Sequence, residues 1–82
     1  MRDKSTVTEE FLRSFKVGDL VDIKEMQGRH RKWTGPHKLI RYKYAIVHGK
    51  SAARFSIDIK GKVFERWLIK GENPFVRKHI SD

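Results

Sequence analysis

From Ala53 to Lys60 the chain alternates with period two, Ala53, Phe55, Ile57 and Ile59 against Arg54, Ser56, Asp58 and Lys60. A strand written this way has one face for a core and one for water. Its main chain is satisfied only beside other strands. Weaker versions of the pattern flank it. Val21 and Ile23 alternate with Asp22 and Lys24, and Ile40, Tyr42, Tyr44 and Ile46 alternate with Arg41, Lys43 and Ala45. Phe64 and Leu68 flank Arg66, with Trp67 and Ile69 on the other side, and Phe75 to Arg77 is a last short strand. His48-Gly49-Lys50-Ser51, Lys60-Gly61-Lys62 and the stretch from Lys70 to Pro74 supply the turns, and Lys78, His79 and Ile80 a closing turn.

Ahead of the strands, Val7, Phe11 and Phe15 recur every four residues with Leu12 beside them, one apolar stripe on a short helix of about nine residues. Thr6 followed by Glu9 has capping-box spacing at its start. Residues 25–38 contain two glycines and a proline but little apolar periodicity, and are expected to form a long loop. The sum is a mainly β fold: a small SH3-like five-stranded barrel with a short N-terminal helix, residues 6–82 as a single domain and residues 1–5 as a disordered N-terminus.

With 82 residues there is room for one domain and a thin core, to which Phe55, Phe64 and Trp67 are assigned. The absence of cysteine excludes a disulfide framework, a thiolate zinc site and a thiol nucleophile. No apolar run approaches the roughly 20 residues of a membrane span, and Met1 to Ser5 lead into no signal-like stretch, so a soluble, cytoplasmic protein is expected.

Charge carries the functional information. The net charge is +9, and its distribution is uneven. Lys24, Arg29, Arg31, Lys32, Lys38, Arg41, Lys43 and Lys50 stand against a single acid, Glu25, between Lys24 and Lys50. Such a stretch predicts attraction to a polyanion, nucleic acid above all. The hairpin at Lys60 and Lys62, by contrast, is expected at the opposite end and is partly neutralised by Asp58 and Glu65. Trp33 sits inside the basic stretch. It is placed either to stack on an unpaired base or to fold back and cap the barrel.

Catalytic chemistry finds no support. Gly49-Lys50-Ser51 lacks the earlier glycine of a phosphate-binding P-loop, for which Tyr44 stands, and no helix follows. His30, His37, His48 and His79 match no zinc spacing. Ser14, Ser51 and Ser56 have no triad context. The expectation is a protein that is not an enzyme, with no cofactor, no metal and no small-molecule substrate.

Two resemblances give this outline a function. Phe15-Lys16-Val17-Gly18-Asp19-Leu20-Val21-Asp22-Ile23-Lys24, then Met26, then Pro36-His37-Lys38, resembles the twenty-first large-subunit ribosomal protein of archaea and eukaryotes. The similarity continues through Ala45-Ile46-Val47, Gly49-Lys50, the strand Ala53 to Ile59, Lys60-Gly61-Lys62 and Val76-Arg77-Lys78-His79-Ile80. It departs after Lys38, where Leu39-Ile40-Arg41-Tyr42-Lys43-Tyr44 intervenes, and it lacks that family's long basic N-terminal arm. The resemblance implies an SH3-like barrel that binds ribosomal RNA and neighbouring ribosomal proteins as a structural part of the large subunit, in the cytoplasm. Val17-Gly18-Asp19-Leu20-Val21 followed by Lys32-Trp33-Thr34-Gly35-Pro36 resembles instead the C-terminal DNA-binding domain of retroviral and retrotransposon integrases, which implies the same barrel on duplex DNA. The ribosomal similarity covers more of the chain, and a start at Met1 suits a free-standing protein. A Tudor- or SH3-type peptide reader is a third class, and a basic surface of this kind admits only an acidic peptide. On the favoured reading the nucleic-acid contacts are Lys24, Arg29, Arg31, Lys32, Trp33, Pro36, His37, Lys38, Arg41, Lys43 and Lys50.

Overall fold

The structure, a computed structural model, describes residues 6–80. The segment expected to be disordered, residues 1–5, lies outside them. One short helix, α1 (Glu9–Arg13), precedes five strands: β1 (Leu20–Gln27), β2 (His30–Val47), β3 (Lys50–Ile59), β4 (Lys62–Ile69) and β5 (Val76–Lys78). They form one antiparallel sheet in the order β4-β3-β2-β1-β5. The mainly β class and the short helix are as expected. The sheet is not closed into a barrel by strand pairing, and β4 and β5 are its two edges.

The core is built on β3. Ala53, Phe55 and Ile57 are fully buried, and Phe55 takes edge-to-face contacts from Phe15 at 5.0 Å, Tyr42 at 5.6 Å and Phe75 at 6.0 Å. Leu39, Leu68, Val21, Ile23 and Val76 complete it from the other strands, and Phe64 packs against it. Ser56 departs from the alternation. It is buried on the outer side, where its hydroxyl donates to Glu65 Oε2 at 2.7 Å across the β3–β4 pair. Trp67 does not join the core. Its backbone pairs with that of Arg54, and its side chain is 38% exposed on the outer face, because Leu68 takes the inward position.

Helix α1 is five residues long and starts later than the capping-box spacing suggests. Thr8, not Thr6, is the cap and accepts from the Phe11 amide at 3.1 Å. Val7 is committed elsewhere: its amide donates to Glu72 at 2.8 Å and its carbonyl accepts from Gly71 at 2.9 Å. A residue tied to the β4–β5 connection in this way cannot also be helical. So short a helix has no stability of its own and is held by Leu12 and the flanking Phe15 in the core. It is held also by the Tyr42 hydroxyl, which donates to the Leu12 carbonyl.

The largest correction concerns residues 25–38, which form no loop. β1 runs on to Gln27, turns through Gly28 and Arg29, and returns as β2 with Gln27 opposite His30, Met26 opposite Arg31, Glu25 opposite Lys32 and Lys24 opposite Trp33. β2 then continues to Val47, its first half paired with β1 and its second with β3. Register shifts between Val21 and Ile23 and between Leu39 and Arg41 let one strand serve both neighbours, since each bulge bends and twists the chain. At the β3–β4 end, Lys60 (φ 54°) and Gly61 (φ 86°) form a two-residue turn, with the Gly61 amide donating to Asp58 Oδ1 at 2.9 Å. The last strand begins one residue later than expected, at Val76. Beyond it no turn forms at His79 or Ile80, and the His79 amide donates to Leu20 at 2.9 Å.

Candidate functional site

The first half of β2, the start of β1 and the β3–β4 turn enclose an open groove of about 730 Å³. Lys32, Trp33, Pro36 and Lys38 line it from β2, Leu20 from β1, and Lys60 and Gly61 from the turn. Thr34, His37 and Asp58 complete the wall. Leu20 is half exposed, an apolar side chain in a groove whose charged lining is three ammonium groups and the Asp58 carboxylate.

Beside the groove wall a buried carboxylate ties β1 to the chain's last described residues. Asp22 is buried at the bulge, with Arg77 Nε donating to Oδ2 at 3.2 Å and His79 Nδ1 donating to Oδ1 at 2.8 Å. Burial pushes the Asp22 carboxyl up, but the hydrogen bonds from His79 and Arg77 and the charges behind them outweigh it and hold the carboxyl below its ordinary value. Gly35 crosses directly over this cluster. A Cβ there would overlap Asp22 Oδ1 and come within 3.0 Å of the Val21 carbonyl oxygen, so a glycine is required. Arg77, fixed by Asp22, lies with its guanidinium carbon 4.2 Å from the centre of the Trp33 ring, and Lys24 Nζ lies at 5.1 Å. Such contacts are worth about 0.5–1 kcal/mol each where exposed. Lower on the same hairpin the Thr34 hydroxyl donates to Glu25, and it lies 3.1 Å from His37 Nε2. The one acid of the basic stretch is thereby occupied.

Of the two sequence readings of Trp33, the one that folds it back to cap the core does not hold. It belongs to no core cluster, and it is half-buried on the groove wall, braced by two cations. Of the remaining expected contacts, Lys32, Pro36, His37 and Lys38 share the groove with it. Lys24 and Arg31 lie at a separate hollow of about 270 Å³ beside Arg66 and Phe75, and Arg29 is exposed in the β1–β2 turn. Arg41 and Lys43 lie further along β2, and Lys50 begins β3 after the β2–β3 turn, at the other end of β2 from His30. Lys60 overturns an expectation. It lines the groove itself, because Lys38 pairs with Asp58 and so brings the β3–β4 turn alongside β2. No spacing in the sequence signals that neighbourhood, and none signals that Arg77, 44 residues beyond Trp33, lies on the indole.

Among the described residues, no group of three His, Asp or Glu side chains is placed to hold a metal ion, and no helix is long and apolar enough to cross a membrane. What the arrangement offers is binding chemistry: ammonium groups at separate points of one groove, an indole edge and accessible backbone. Comparison with known proteins finds no matching family model, no similar curated protein and no similar solved structure.

Proposed function

We propose that this protein is a non-catalytic binder of structured RNA, a ribosomal-RNA-binding component of the large ribosomal subunit in the cytoplasm, with RNA and neighbouring ribosomal proteins as its partners. The observation that carries the proposal is the groove in which Lys32, Lys38 and Lys60 converge beside the cation-braced Trp33. Ammonium groups spread over one concave surface suit the phosphates of a folded backbone, and an apolar rim suits sugar or base. Arg29 and Arg31, at the tip of the β1–β2 hairpin, extend the contact. The same reading takes the sheet as an SH3-like barrel whose edges approach through side chains. Phe64 of β4 and Phe75, just before β5, meet at 6.0 Å, and Arg66 of β4 lies 5.0 Å from the Phe75 ring centre.

Duplex DNA is the second reading, and one observation favours it: Trp33, Thr34, Gly35 and Pro36, which carry the integrase resemblance, all line this groove. The two are separated by titrating the protein with a structured RNA and with a DNA duplex of equal length, and by asking whether it co-sediments with large ribosomal subunits. On the RNA reading, log K falls against log salt with a slope of about −3 to −5, for about five phosphate contacts, and the RNA binds more tightly than the duplex. Binding that barely responds to salt, or a clear preference for the duplex with no co-sedimentation, rejects it.

A further inference from the structure

Lys38 and Asp58 of the groove also stand on the outer face of β2, β3 and β4, and that face is organised in cross-strand rows. Lys38 pairs with Asp58, and Asp58 with Val63; next, Arg41 pairs with Ser56, and Ser56 with Glu65; next, Lys43 pairs with Arg54, and Arg54 with Trp67. Side chains paired in this manner share a face. Lys38, Arg41 and Lys43 therefore run along one strand for roughly 15 Å, away from the groove, and end level with an exposed indole. Two acids share this face, Glu65, which accepts from Ser56 at 2.7 Å, and Asp58, which accepts from the Gly61 amide at 2.9 Å, and the four cations Lys38, Arg41, Lys43 and Arg54 outnumber them. Among the described residues, no carboxylate forms an ion pair with Arg41, Lys43 or Arg54. The same three cations edge a hollow of about 210 Å³ with Val17 and Tyr42.

We propose that this row is a second subsite on the same nucleic acid, which takes a single-stranded extension leaving the groove. The backbone follows Lys38, Arg41 and Lys43, and an unpaired base stacks on Trp67, with Arg54 beside it. The occupant follows from the chemistry. The line of cations calls for a polyanion, and an aromatic side chain open on the same face, level with the last of them, calls for a flat π-surface. A nucleotide chain supplies both in alternation. The inference rests on the proposed nucleic-acid function, and its test is designed to fail separately from it.

The test compares three RNA probes on wild-type protein, Trp67→Ala and Trp67→Phe, at one salt concentration: a hairpin alone, the same hairpin with a four-nucleotide unpaired tail, and the tail sequence alone. The expected result is that the tail tightens binding of the hairpin about tenfold on the wild type. Trp67→Ala should lose most of that gain, Trp67→Phe should keep most of it, and all three proteins should bind the bare hairpin equally. Circular dichroism confirms that the variants are folded, and Arg54→Gln, which leaves the aromatic in place, gives an independent reduction of the tail effect. A tail effect that survives in Trp67→Ala overturns the subsite while leaving the groove reading intact. If no protein binds the bare hairpin but the tail alone binds in a Trp67-dependent manner, the groove reading falls and the subsite stands. Concentration-dependent dimerisation that Trp67→Ala abolishes, with no tail effect, shows that the face receives a second copy of the chain, and overturns the proposal.

Discussion

The two halves of β2 are paired by the same kind of main-chain hydrogen bonds but are held in place for different reasons. From Leu39 onward the strand rests on the core. Leu39 is fully buried, and Tyr42 and Tyr44 pack against the cluster around Phe55. From His30 to Lys38 it has no comparable backing. Its exposed side chains include Arg31, Lys32 and Lys38, and what fixes it is pairing with β1, the Thr34 contacts to Glu25 and His37, and the clamp of Lys24 and Arg77 on Trp33. Burial makes one half rigid, whereas polar clamps leave the other half's charges free to meet a ligand. Changes to the buried side chains of the core half should therefore cost folding, and changes to the exposed cations of the open half should cost binding.

The strongest test of that division is Phe55→Ala. Phe55 pairs with Tyr42 in the core half and contacts that ring and two others, those of Phe15 and Phe75. The variant is expected to lose about 3–5 kcal/mol, enough to leave a domain of this size largely unfolded in a urea titration. Next in size is the triple replacement of Lys32, Lys38 and Lys60 by Gln. It should weaken RNA binding by about two orders of magnitude at low salt and flatten the salt slope by about 2–3, with little change in the thermal midpoint. Lys60→Gln alone should also weaken binding more than Lys62→Gln, since only Lys60 lines the groove. Equal losses from the two would reduce the site to net charge.

Gly35→Ala probes how the open half is seated on β1. The added methyl collides with the Asp22 carboxylate and the Val21 carbonyl, so a stability loss of about 1–3 kcal/mol is expected, together with weaker binding as the groove wall shifts. The smallest effect is in pH. The Asp22 carboxyl is held below its ordinary value of 3.8 in the folded protein, so its contribution is fully present above that value and is lost as the pH falls through the lowered one. The thermal midpoint of the wild type should drop more steeply on acidification below about pH 4 than that of Asp22→Asn, whose amide has no such proton to take up. Parallel acid limbs for the two proteins would show that the cluster behind the groove contributes nothing electrostatic.

The same division explains what could be read from the sequence. β3, the tyrosine-bearing half of β2 and the turn at Gly61 were legible because burial on one face writes period two into the residues, and a two-residue turn asks for glycine. The hairpin of residues 24–34 was not, because a strand held by main-chain pairing and exposed cations leaves no apolar period to find. The basic residues were legible as a group, but not their distribution. Lys32 and Lys38 reach the groove, Lys24 and Arg31 face another hollow, and Lys50 lies at the far end of β2. Lys60 and Arg77 were missed because their neighbourhood is created by register, between residues far apart in the chain. Trp67 was misplaced because an aromatic in a strand fits either face, and only the packing of Leu68 decides which.

The bonds between Val7 and the 71–72 turn have a consequence for how the chain reaches this structure. They join residues more than sixty positions apart, and the helix they adjoin is too short to form in advance. The hairpins β2–β3 and β3–β4 close over two residues each and need no distant partner, so they are expected to carry the folding nucleus, with α1 docking after the barrier has been crossed. Leu12→Ala, which empties a fully buried position on α1, is then expected to accelerate unfolding in stopped-flow denaturant jumps and to leave the refolding rate nearly unchanged. A refolding rate that fell in proportion to the lost stability would place α1 in the nucleus. On that expectation Val7 and α1 act as a latch, fastened only once the 71–72 turn has arrived.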